Sequence, residues 1–198
     1  MKEILKKYIE NLPTFELKEI VVKDGDRYID TELRGVVEKG KPEVVYAVVG
    51  KNYSLIQFKD VFLPILDKID RIKFGLVEYY SGKALVELYP DGENFTTDGF
   101  RIGVILKNSV DKSWAINISF CMKSSDLPTI YLPNKIVKGL RKIHVGNAKV
   151  IVSDFSNVVG DIKEVWKTIV TKLSDHYILK DEVDDLFKNV KVGKRIEK

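Results

Sequence analysis

At 198 residues the chain suits one large domain, or one domain with a helical appendage. Its composition, 44% hydrophobic and 31% charged, is that of a globular protein and excludes a disordered one. The 33 Lys+Arg against 29 Asp+Glu leave a net charge of +4, which permits a nucleic-acid partner but falls short of the basic footprint of a DNA-packing protein.

Gln57 is the only glutamine and Cys121 the only cysteine. Amide and sulfur side chains degrade when hot, while Lys/Glu networks gain value, so this usage points to a thermophilic source. A lone cysteine makes no intramolecular disulfide. Cys121 ends an apolar alternating run and reads as a buried structural thiol. Met1–Pro13 carries acidic residues and no long apolar core, so it does not read as a signal peptide. No stretch approaches the ~18 apolar residues that span a bilayer. A cytoplasmic protein with no membrane partner is the expectation.

In chain order, residues 2–11 read as a short amphipathic helix, with Ile4, Leu5, Tyr8 and Ile9 on one face and Pro13 as its stop. A strand follows near Phe15–Val22, then a turn at Asp24-Gly25-Asp26. Val36–Pro42 reads as a charged connection, Val44–Val49 as a buried strand, and Gly50-Lys51-Asn52 as a turn. Phe58–Ile69 is a helix strained by Pro64. The period then changes to two. Residues 72–89 form a β-hairpin about Ser81-Gly82-Lys83, and 90–98 an exposed loop. Phe100–Leu106 is a strand, and Trp114–Met122 another with Trp114, Ile116, Ile118 and Phe120 on one face. Asn134–Arg141 reads as a short helix. A longer one reaches about Leu173 along Val158, Ile162, Val165, Trp166 and Ile169, and a last one starts at Asp181. The whole predicts a single α+β domain over 1–198: an antiparallel β-sheet with helices packed on one side and a helical C-terminal segment, 176–198 being a basic tail.

The middle of the chain, about 44–175, resembles a phage- and plasmid-like family, domain of unknown function 932. A strand leads into a polar pair plus Tyr at Val48-Val49-Gly50-Lys51-Asn52-Tyr53. A later strand, in DGFRIGVILKNSVDKSWAI, ends in an Asn-Ser-x-Asp turn at Asn108–Ser113. Arg141-Lys142-Ile143-His144 approaches the family's Arg-x-His. The family's Arg-Val-Val-Cys-x-Asn stretch is absent; Ser124–Pro128 and Asn134 occupy that region, and Lys112 replaces a turn glycine. The resemblance implies a mobile-element context and no reaction.

For chemistry the most informative window is Asn134–Val150. It holds Lys135, Lys138, Arg141, Lys142, His144 and Lys149 and no carboxylate. On a helix Lys135, Lys138 and Lys142 share a face, and phosphate is the natural partner of such a surface. A solvated face on a lysine-rich protein is the plain alternative. Lys188, Lys191, Lys194, Arg195 and Lys198 form a second cluster, either a solvated tail or a phosphate-tracking arm. Tyr79, Tyr80 and Tyr89 on the hairpin, and Phe95, are candidate platforms for base stacking, against ordinary strand packing. His144 and His176 make no zinc-ligand pair. Glu78, Glu87, Asp91, Glu93 and Asp98 make no nuclease motif, and no Walker loop or nucleophile elbow is present. No cofactor is expected. These readings lead to a non-enzymatic, single-stranded-DNA-binding accessory protein of a virus or plasmid, with possible self-association. A structural or protein-interaction module is the rival, and a metal-dependent nuclease a third reading.

Overall fold

The structure, a computed structural model, describes residues 1–97, 99–124, 128–132 and 140–144, together with 167, 168 and 171. Helix α1 (Lys2–Glu10) buries Leu5 and Ile9, one turn apart. Helix α2 (Phe58–Lys68) buries Phe58, Val61, Phe62, Ile65 and Leu66, and it accommodates Pro64. Lys2 ties the helices together. Its Nζ donates to the carbonyls of Asp67 (3.0 Å) and Ile69 (2.8 Å), a cation on the negative end of α2.

The strands form two antiparallel sheets where the sequence predicts one. The smaller is β1 (Phe15–Asp24), β2 (Arg27–Glu38) and β3 (Lys41–Gly50), in that order. The larger runs β10-β8-β7-β5-β4, from β4 (Ile72–Tyr80), β5 (Lys83–Pro90), β7 (Phe100–Ser109), β8 (Ile116–Lys123) and β10 (Leu140–Lys142). Short β6 (Thr96–Thr97) pairs with β7, and β9 (Ile130–Tyr131) with β8. The fold is α+β, as predicted. One core draws on both sheets and both helices, from Phe15, Val36 and Val49 to Leu88, Val104 and Phe120. The sole glutamine serves this junction: the Gln57 amide accepts from Phe15 N (2.9 Å) and donates to Phe15 O (3.0 Å), fastening α2 to the start of β1.

The β4–β5 hairpin turns on Ser81 (φ 44°) and Gly82 (φ 77°), the left-handed pair a two-residue type I′ turn requires. Gly82 is needed for space as well, because a β-carbon there would stand 2.8 Å from the Tyr46 ring.

Three expectations are corrected. The segment read as a connection at Val36–Pro42 belongs to β2 and β3, joined by a turn at Lys39-Gly40. The valine run of β3 is not a buried strand: Val44, Val45 and Val48 are exposed and only Val49 is buried, because the small sheet covers its core on one side only. Leu140 and Arg141, placed at the end of a helix, form strand β10 with Lys142 against β8. The predicted C-terminal helices lie outside the described residues, apart from Lys167, Thr168 and Thr171, which are helical.

Candidate nucleic-acid interface

Register decides which cations share a face. In the large sheet Val86, Leu106, Ile118 and Leu140 are aligned across β5, β7, β8 and β10 and face the core. Alternation sends their neighbours to the opposite face. There Glu78, Leu85, Lys107, Asn117 and Arg141 form one row, with the carboxylate at the β4 end and the cations on β7 and β10, and Arg101 and Lys123 form another. Six residues of β7 separate the rows, about 20 Å at strand spacing.

At the first row the turn after β7 sets Trp114 in place. Ser109 Oγ donates to Trp114 O (3.1 Å) and accepts from Trp114 N (3.0 Å). Asp111 accepts from Ser113 N (2.9 Å) and lies 3.5 Å from Lys83 Nζ. Burial pushes the Asp111 carboxyl up, but the Ser113 and Ser109 bonds and the Lys83 charge outweigh it, so its pKa is lowered. Lys83 and Lys107 then sit 5.9 and 5.8 Å from the Trp114 ring centre, and Lys107 is 4.8 Å from that of Tyr131. A cavity of about 220 Å³ beside them is lined by Tyr53, Lys112, Trp114, Arg141, Ile143 and His144 among others.

At the second row Lys123 Nζ lies 4.5 Å from the Phe74 ring centre and 5.7 Å from that of Tyr89. Arg101 donates to Pro90 O (2.9 Å). Phe74, Tyr89, Thr96, Arg101, Lys123 and Ser124 border a cavity of about 370 Å³. Between the rows Tyr89, Ile105 and Cys121 are buried as a second small cluster, so the cations stand at two ends of the face and not across its centre. A cation over an aromatic face is attracted by the ring quadrupole, which orders both groups.

The residues named from sequence are dispersed. Lys135, Lys138 and Lys149 lie outside the described residues, as does the Lys188–Lys198 cluster. Arg141 is exposed on the cationic face, whereas Lys142, adjacent on a strand, points to the other side; the shared helical face predicted for Lys142 does not exist. Tyr80 is 78% exposed and open to a ligand. Tyr79 is half-buried against Phe58, its hydroxyl accepting from Gly82 N (3.2 Å). Tyr89 cannot stack a base: it is 1% exposed, and its hydroxyl donates to Glu87 (3.1 Å) with Thr129 Oγ1 at 3.3 Å and Cys121 Sγ at 3.5 Å. Burial raises its pKa and pushes the Cys121 thiol up to about 12, which leaves it an inert structural group. Phe95 is partly buried against the core. Sequence reasoning missed Lys83 and Lys107 at one end of the face and Arg101 and Lys123 at the other, two pairs that form only through sheet register.

His144 is buried and does not reach a phosphate. Its Nδ1–H donates to Ser54 O (3.2 Å), its ring stacks on Tyr53 (5.4 Å, 10°), and its carbonyl accepts from Ser54 N (3.0 Å). Burial lowers its pKa below the ordinary value, outweighing the bond to Ser54. The folded state therefore favours neutral His144. Its contribution to stability is full above the unfolded pKa of about 6.5 and is lost as pH falls through the lower folded value. Glu38, lowered by its bond from Lys41, and Asp111 act further down, in the carboxylate range. Urea titrations between pH 7.5 and 5 are expected to show falling stability in the native chain and a flatter profile in His144→Phe. Equal slopes would remove this role.

Among the described residues no helix is long and apolar enough to cross a membrane, and no three His, Cys, Asp or Glu side chains gather as a metal site. No protein-family model, curated protein or solved structure matches the chain. The resemblance drawn above rests on its motifs alone.

Proposed function

We propose that this protein binds single-stranded nucleic acid at the two cationic ends of the second face of the large sheet, as an accessory protein of a virus or plasmid. One observation carries the reading. Both ends of one sheet face present cations lying on aromatic rings, Lys83 and Lys107 on Trp114 and Tyr131, and Lys123 on Phe74. A strand with unpaired bases needs both components: charge for the phosphates and π-faces for the bases. Phe74 and Tyr131 are themselves partly exposed, and Tyr80 adds a further exposed ring. Duplex DNA, whose bases are already stacked, would use only the charge.

The test is fluorescence anisotropy with labelled single- and double-stranded oligonucleotides at two salt concentrations. Single strands are expected to bind more tightly. Lys107→Gln and Arg141→Gln are each expected to lower the salt slope by about 0.7, the value for one single-strand phosphate contact. Lys107→Glu/Arg141→Glu is expected to weaken binding by at least about tenfold, a loss of ~1.4 kcal/mol. Affinity and slope both unchanged in the double variant would overturn the proposal.

A further inference from the structure

We infer that the chain forms a two-fold symmetric dimer in which the outer edge of β1 pairs antiparallel with β1 of a second copy, centred on Val21. This goes beyond the nucleic-acid reading and does not depend on it.

Among the described residues β1 has one neighbour, β2, so its other edge is unpaired. β3 reaches only the Leu33–Glu38 part of β2, so residues 21–30 continue as a two-stranded ribbon. A two-stranded ribbon alone is at best marginally stable in water. This one also shows Val21, Val22, Tyr28 and Ile29, each 48–70% exposed.

Proteins usually blunt such an edge with a bulge, a proline or repelling charges. Here the bulge falls on the inner strand. Thr31, Glu32 and Leu33 of β2 stand opposite Ile20 alone, with Glu32 at φ 55°, while β1 runs on without interruption. β1 contains no proline. Its charges do not repel a copy of themselves; they select one. The run Lys18-Glu19-Ile20-Val21-Val22-Lys23-Asp24 reads plus, minus, three apolar residues, plus, minus. Laid antiparallel on itself about Val21, it sets Glu19 against Lys23, Lys18 against Asp24 and Ile20 against Val22, on both sides of the axis. Opposite charges in facing positions stabilise a strand pair and like charges destabilise it. Sliding one residue one way brings Lys18 against Lys23; sliding the other way brings Glu19 against Asp24. The pattern therefore fixes the register as well as the partner, and identical patches meeting about a two-fold axis close into a dimer. Lys18 would exchange its present partner, Glu16 at 2.9 Å, for Asp24 of the second copy. The other edge of this sheet, β3, carries Pro42, and its charges Lys41 and Glu43 lie at one end.

Sedimentation velocity on the full chain without nucleic acid tests this. The native protein is expected to be a dimer at micromolar concentration. Glu19→Lys alone and Lys23→Glu alone, both on the exposed edge, are expected to dissociate at least tenfold more readily with unchanged circular dichroism. Glu19→Lys/Lys23→Glu is expected to recover the dimer, and so is an equimolar mixture of the two single variants, because each mixed pair restores opposite charges. Under mild oxidation Val21→Cys is expected to give a disulfide-linked dimer and Glu19→Cys is not. A native chain that stays monomeric, or a dimer that neither single variant weakens, overturns the proposal. Either result would assign the edge to a different protein or the dimer to another surface, and neither would touch the nucleic-acid reading.

Discussion

Phe58→Ala is expected to remove about 3–5 kcal/mol of folding stability, the cost of truncating a well-packed core aromatic. The ring is 1% exposed. It stands where the two sheets and α2 meet, edge-on to Phe15 of the small sheet (5.8 Å, 89°) and to Tyr79 of the large one (6.0 Å, 70°). Phe62, one turn further along α2, lies parallel to it at 6.1 Å. Truncation removes three ring contacts, each worth about 0.5–1.5 kcal/mol beyond area burial. The cavity falls between elements held by backbone ladders, which cannot collapse into it. Tyr80→Ala, which deletes an aromatic of the same hairpin from an exposed position, is expected to stay within about 0.5 kcal/mol. Urea unfolding of both variants gives the comparison. A Phe58→Ala loss no larger than that of Tyr80→Ala would show that the two sheets are not joined through this ring.

How far the sequence speaks depends on whether a segment's neighbours are local. α2 was legible because it buries one stripe at spacings of three and four, and α1 because it buries Leu5 and Ile9 one turn apart, although Ile4 and Tyr8, read on the same face, are exposed. The β4–β5 hairpin was legible because Ser81-Gly82 is a turn that needs no distant partner. β2 was not. Arg27–Glu38 is exposed over most of its length and breaks at Glu32, so burial imprints no alternation on it. The β3 valines mislead for the opposite reason: an unbroken apolar run usually marks burial on both faces, and here it lies in a sheet with one covered face. The strand of Leu85, Val86, Leu88 and Tyr89 follows that rule, being apolar on both faces and largely buried, which is why Tyr89 could have been recognised as unavailable. The cationic face was illegible in a different way. A search for contiguous basic residues finds Asn134–Val150, but Lys83 becomes a neighbour of Lys107, and Arg101 of Lys123, only once β5, β7 and β8 are in register. The available signal was period-two placement of Arg101 and Lys107 opposite an apolar face, with Trp114 at the following turn.

Gly103→Ala is expected to cost about 1–3 kcal/mol by overpacking, and it separates the geometry of the cationic face from its charge. A β-carbon on Gly103 would stand 2.6 Å from Cδ1 and Cε1 of the Tyr89 ring and 2.9 Å from Leu88 O. Neither neighbour yields easily. The carbonyl belongs to a central strand, and the ring is held by its hydroxyl bonds and by Phe74 at 5.7 Å. Gly75→Ala is the control. Its β-carbon would meet the buried Leu5 side chain at 2.5 and 3.1 Å, with the Glu87 carbonyl at 3.1 Å, so a comparable overpacking loss is expected, away from Tyr89 and the cations. Because Lys123 lies over both Tyr89 and Phe74, displacing the Tyr89 ring shifts that cation while deleting no charge. Single-strand affinity should therefore fall in Gly103→Ala while the salt slope holds, since the same phosphates are met by the same number of cations. A fall in slope equal to that of Lys107→Gln would mean that the substitution unfolds the face instead of distorting it, and circular dichroism would then show the loss of strand.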